Sequence, residues 1–176
     1  QYLADKKILD EDLKYFTGNK HEHKQWKKNE TQNRFEVQLP QILTKNLSSI
    51  LHFSAEKEIN SLPAFVLDKT FPTPLLREFL AALFGGDGGQ TCHFTKQQEF
   101  STSICFSRLS LENDKFMKQL QTLLKRCGIE KTLLYISNKT TASLRRHEII
   151  LELEKSEMTS FYQKIGFRYS CLKSLQ

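Results

Sequence analysis

The sequence predicts an α+β domain, an antiparallel four-stranded sheet with helices on one face, in the order αββαββα. Three observations carry this. From Pro74 onward the apolar residues recur first at helical spacing, then in two alternating runs, and the whole pattern repeats before a last helix. The strand segments alternate apolar with polar residues, as expected of a sheet covered on one side only. Gly128 and Gly166 follow the second and last helical runs, where a helix cap calls for glycine.

Residues 1–61 read as an N-terminal arm or linker with short helices and a strand, and residues 62–176 as the main domain. In the arm, Lys6 to Phe16 suits a short helix, and Gly18 to Arg34 is a polar, lysine-rich loop. His21 and His23 flank Glu22 in that loop, and a solvated basic segment explains them better than a metal site. Phe35 to Leu39 is a strand candidate. Pro40 to Leu51 is a helix with Ile42, Leu43, Leu47, Ile50 and Leu51 on one side.

In the main domain, Thr73 is the expected N-cap of a helix whose first turn holds Pro74. Gln90 to Gln98 and Ser101 to Leu109 form a hairpin. Cys92, Phe94, Ile104 and Phe106 face inward, and Thr91, His93, Thr95, Gln97, Ser103, Cys105 and Ser107 lie opposite. Leu111 to Cys127 is an amphipathic helix with Phe116, Leu120, Leu123 and Leu124 as its stripe. Lys131 to Ser137 and Leu144 to Leu153 are strands joined by the polar turn at Asn138–Thr141, and Lys155 to Ile165 is the last helix. Ile149 and Leu151 face inward, with Arg146 and Glu148 on the polar side.

The segment Leu80-Ala81-Ala82-Leu83-Phe84-Gly85-Gly86-Asp87-Gly88 is the most specific feature. It reads as an apolar helix with small residues on one face, broken at Gly85-Gly86, and followed by a carboxylate with no bulky neighbour. It resembles the signature of the LAGLIDADG homing endonucleases. The sixth position departs, with Gly85 in place of the acid, and the eighth, the metal-binding one, is intact as Asp87. The predicted element order is that of the LAGLIDADG fold, and Phe167 to Ser174 is similar to the family's C-terminal segment, which carries a lysine.

The resemblance implies a site-specific DNA endonuclease, with Mg2+ or another divalent cation as cofactor, cutting both strands at a long site and leaving short 3′ overhangs. Asp87 and the Gly86 carbonyl would be the metal ligands, Lys173 would assist electrostatically, and Arg108 is the candidate polar residue from the second strand. The motif helix would meet a second one through Phe79, Leu80, Ala82, Leu83 and Gly86. Base and phosphate contacts to double-stranded DNA would come from Thr91, His93, Thr95, Lys96, Gln97, Ser103, Ser107, Arg108, Lys139, Arg145 and Arg146. Lys20, Lys24, Lys27 and Lys28 belong to the arm, where solvation explains them as well.

There is one motif, and cutting two strands needs two. The motif starts some eighty residues in, behind an arm resembling the linker between halves, and the chain opens on Gln1. The expected partner is therefore a second motif in an N-terminal half, with a homodimer as the alternative. Two other functions fit the scaffold, an RNA-binding intron maturase and a non-catalytic DNA-binding protein. An intein remains a context, although no splicing signature closes the sequence.

Composition agrees. Thirteen Phe in 176 residues support a real core, and a net charge of +6 with a pI of about 9.1 suits a polyanion. The four cysteines form no C-x-x-C pair and are expected as reduced thiols in an intracellular protein, whether in an organelle or a microbial or viral cytoplasm. The sequence has neither a signal peptide nor an apolar run of membrane-spanning length.

Overall fold

The computed structural model describes residues 2–17, 27–29, 34–36, 45, 49, 61–94, 100–110, 115–137 and 147–170. The chain divides into two compact units, residues 1–57 and 58–176.

The first unit contains helix α1 (Tyr2–Thr17), longer than the predicted Lys6–Phe16. It also contains strands β1 (Lys27–Asn29) and β2 (Arg34–Glu36), paired antiparallel with Lys28 opposite Phe35. The loop expected over residues 18–34 is thus corrected at Lys27–Asn29 and Arg34. Three polar residues carry no alternation, so this strand leaves no periodic signal in the sequence. Of the helix predicted over residues 40–51, only Lys45 and Ser49 are described, both helical.

The second unit opens with a short helix α2 (Ala64–Leu67) and the motif helix α3 (Thr73–Gly86). Strands β3 (Gly88–Phe94) and β4 (Phe100–Ser110), helix α4 (Lys115–Arg126), and strands β5 (Thr132–Ser137) and β6 (His147–Leu153) follow. A 3-10 turn (Lys155–Glu157) then leads into α5 (Met158–Lys164), so the last predicted helix is split. The four strands form one antiparallel sheet in the order β3-β4-β6-β5. This is the αββαββα architecture expected from the periodicity.

Pairing register fixes the faces. Phe106 stands opposite Gly88 on one side and Leu151 on the other, and Leu134 is opposite Leu151. Ile104, Phe106, Ile149, Leu151 and Leu153 are buried in one cluster with Leu76, Leu80 and Phe84 of α3, Phe116, Leu120 and Leu124 of α4, and Phe161 of α5. Phe84 is the hub. Its ring lies 5.5 Å from that of Phe106 and 5.0 Å from that of Phe161, both edge-on, the arrangement aromatic quadrupoles favour. The predicted stripe on α4 is buried, with Met117 added.

Side chains close the ends of this core. The Arg126 guanidinium donates to the carbonyls of Val66 (3.1 Å), Asp68 (3.1 Å), Lys69 (3.4 Å) and Phe71 (3.0 Å), which ties the α2–α3 connection to the end of α4. The predicted caps at Gly128 and Gly166 both have positive φ. Cys105 and Cys127 are both buried, and burial pushes the Cys127 thiol above its ordinary pKa, although Arg77 opposes this. Among the described residues no helix is long and apolar enough to cross a membrane.

Candidate functional site

Helix α3 positions the site. Its N-cap is Pro72 rather than Thr73. Thr73 is the first helical residue, Pro74 the second, and no side chain caps the end. The Leu76 N–H donates to the Pro72 carbonyl at 2.9 Å. Leu76, Leu80, Ala81, Phe84 and Gly85 are buried, while Leu75 is 55% exposed.

The two glycines do not break the helix as the sequence suggests. The helix runs through both, and neither has positive φ. Gly85 is there because backbone passes over it. A Cβ at this position would run into the carbonyl oxygen of Arg168. The Arg168 N–H donates to the Ala81 carbonyl at 2.9 Å, and its guanidinium donates to Glu78 Oε2 at 2.7 Å. Residues Phe167–Ser170 thus form a strap along α3, anchored by buried Phe167 and Ser170. Gly86 differs completely. It is exposed, and a Cβ there would have no neighbour within 4 Å.

Asp87 is the C-cap residue and the only one between α3 and β3. Its N–H donates to the Leu83 carbonyl at 2.9 Å, and its side chain is exposed. Gly88 lets the chain turn straight into the sheet, since a Cβ there would stand 2.5 Å from the Phe84 carbonyl. Asp87 is thereby held by a core helix on one side and a sheet strand on the other.

This is the wrong end of a helix for a carboxylate. The last carbonyls of a helix lack intrahelical donors and carry its negative partial charge, so an acid here is repelled rather than stabilised. A cation reverses that sign. Carboxylate and carbonyl oxygens are hard donors of the type that suits Mg2+. Among the described residues no group of three or more His, Cys, Asp or Glu comes together.

By helical spacing Leu75, Phe79, Ala82 and Gly86 share one stripe of the motif helix, in which Leu75 and Gly86 are exposed, Ala82 is half-buried and Phe79 packs edge-on against Phe65. Phe79 and Leu83 are half-buried against the core. The expectation that Leu80 belongs to a helix–helix interface is corrected. Leu80 is fully buried inside this chain's own core, one helix face round from that stripe. Leu75, which sequence reasoning passed over, is the exposed leucine of this helix.

On the sheet, Thr91 is opposite Ser103 and His93 opposite Ser101, on the pleat side away from the core residues Ile104 and Phe106. Ser107 shares that side and is exposed. Arg108 is in register with buried Ile149, on the pleat side of Phe106, at the end of the sheet where β3 leaves Asp87. Thr95, Lys96, Gln97, Lys139, Arg145, Arg146 and Lys173 lie outside the described residues. The other half of the open face was not singled out from the sequence. Tyr135 donates its hydroxyl to Glu152 Oε2 at 2.9 Å, and Leu133, the register partner of Glu152, is 52% exposed. Strict alternation along β5 was the signal available for these residues.

The family model for the LAGLIDADG-like domain matches residues 74–166, just over half of the chain. This chain belongs to the LAGLIDADG family. That is a family of homing endonucleases and maturases whose domains usually pair and bind DNA. The match starts inside α3, at Pro74, and ends after α5, so it spans the αββαββα unit apart from its first residue. Searches of the curated proteins and of the solved structures returned no significant match.

Proposed function

We propose that this LAGLIDADG domain is half of a metal-dependent, site-specific DNA endonuclease. The observation that carries this reading is Asp87, an exposed carboxylate at the carbonyl end of a rigid helix, directly before the first strand of the sheet.

Asp87 and the Gly86 carbonyl would hold the divalent cation. A bound divalent cation supplies charge stabilisation in the transition state and lowers the pKa of an attacking water. The β3–β4 ribbon lies in the major groove, where Thr91, His93, Ser103 and Ser107 read base edges, and the basic residues Lys96, Lys139, Arg145 and Arg146 meet phosphates. Arg108, at the end of the sheet beside the α3–β3 junction, and Lys173, from the segment after the strap, complete the charge around the reacting phosphate. The stripe Leu75–Phe79–Ala82–Gly86 packs on a second motif helix, which brings a second carboxylate for the other strand. That helix comes from another half of the same protein or from a second copy of this chain.

Asp87→Asn is the test, read on a duplex selected from a randomised library. Cleavage with Mg2+ should fall at least ~100-fold, because a charged metal ligand is lost. Binding should persist or tighten, since the lost charge repels phosphate. Its log–log salt slope should be close to −0.9 per phosphate contact. Undiminished cleavage by the variant sinks the proposal. Tighter binding to structured RNA than to any duplex, without cleavage, identifies a maturase instead.

A further inference from the structure

The open face of the sheet has two halves of different chemistry. On β3–β4 the register places Thr91, His93, Ser103, Ser107 and buried Cys105 on that face. On β5–β6 it carries Leu133, Tyr135, Ile150 and Glu152, placed together by the pairs Leu133–Glu152 and Tyr135–Ile150. Glu152 is half-buried, and one of its oxygens is engaged by the Tyr135 hydroxyl at 2.9 Å. Tyr135 itself is 38% exposed, and Leu133 beside it is 52% exposed.

We propose that Glu152 is a specificity-determining residue that selects cytosine in the DNA site, with Tyr135 as its positioning residue. This rests on the reading of the sheet as a DNA-binding face. A carboxylate accepts hydrogen bonds and donates none, and in the major groove only cytosine N4 and adenine N6 offer donors. Adenine sets its N7 lone pair beside that donor, which repels a carboxylate, whereas cytosine sets an apolar C5–H there. With Tyr135 on Oε2, the other oxygen, Oε1, accepts the single groove-facing N4–H. Leu133 lies on the same face beside the pair, and its exposed side chain provides apolar surface of the kind that meets the C5 edge of a pyrimidine. The acceptor and the apolar neighbour therefore select the same base.

The experiment selects bound duplexes from a randomised library with the full 176-residue chain and with Glu152→Gln, Glu152→Ala and Tyr135→Phe, each checked for native melting. The wild-type motif should contain a position where cytosine is preferred about tenfold over other bases. Glu152→Ala should level that position. Glu152→Gln should move its preference to adenine, which an amide can bind through N6 and N7 together. Tyr135→Phe should weaken the cytosine preference without changing the base. A motif identical in wild type and all three variants overturns the proposal while leaving DNA recognition intact. Failure of the wild-type chain to enrich any motif overturns the DNA-binding reading, and this proposal with it.

Discussion

The two sides of α3 use similar residues for opposite ends. On one side Leu76, Leu80 and Phe84 are buried against the sheet and the last helix, and Gly85 lies under the strap. On the other side Leu75 and Gly86 are exposed and Ala82 is half-buried among the described residues, and the stripe ends at Gly86, next to Asp87. The adjacent glycines show the difference best. At one, a methyl group would collide with backbone. At the next it would meet nothing. Composition is the same, so position relative to the strap decides what each residue does. One side spends its apolar surface on stability, and the other leaves it available for a second helix.

The largest expected effect on stability is at Leu80. Leu80→Ala removes fully buried atoms and leaves a cavity, so denaturant unfolding should show a loss of about 2–5 kcal/mol. Leu75→Ala, the same change on the other side, should stay within about 0.5 kcal/mol in the monomer. Equal losses at the two positions would break the comparison. Gly85→Ala comes next. The Cβ forces the Arg168 carbonyl aside and strains its hydrogen bond to Ala81, at a cost of about 1–3 kcal/mol. Gly86→Ala is the smallest effect and has the opposite sign. With open space around it, the better helix former should raise the monomer's unfolding midpoint by an amount equivalent to about 0.5 kcal/mol. A Gly86→Ala variant as unstable as Gly85→Ala would place the strap over the wrong glycine.

Much of this molecule is legible in its sequence where a period exists to read. The stripe Phe116, Leu120, Leu123, Leu124 and the alternation around Ile104–Phe106 placed α4 and β4, because solvent on one side of each element imposes the pattern. The motif helix resisted because it is apolar nearly all round. Its sequence does not reveal that Leu80 faces the chain's own core and Leu75 does not, since that depends on how the helix docks on the sheet. Gly85 was misread for a related reason. A glycine that breaks a helix and one that admits a crossing backbone look the same until the crossing segment is known, and that segment is far away in sequence. Asp87 was legible as a candidate ligand, because its glycine neighbours and the helix before it are local. Its rigid suspension between α3 and β3 required Gly88 to be seen against Phe84.

The strap also has a consequence for the order in which the chain can finish folding. The ion pair between Glu78 and Arg168 spans 90 positions of sequence, and the hydrogen bond to Ala81 and the cover over Gly85 depend on the same late segment. Closing a loop of that size costs entropy before its contacts repay it, which makes it a slow event relative to hairpins and helices. On a ribosome, the helix, both hairpins and the intervening helix are all made before Arg168 appears. The motif helix therefore spends most of synthesis with its glycine seat empty, and the turn holding Asp87 acquires its final support only when the rest of the domain is already in place.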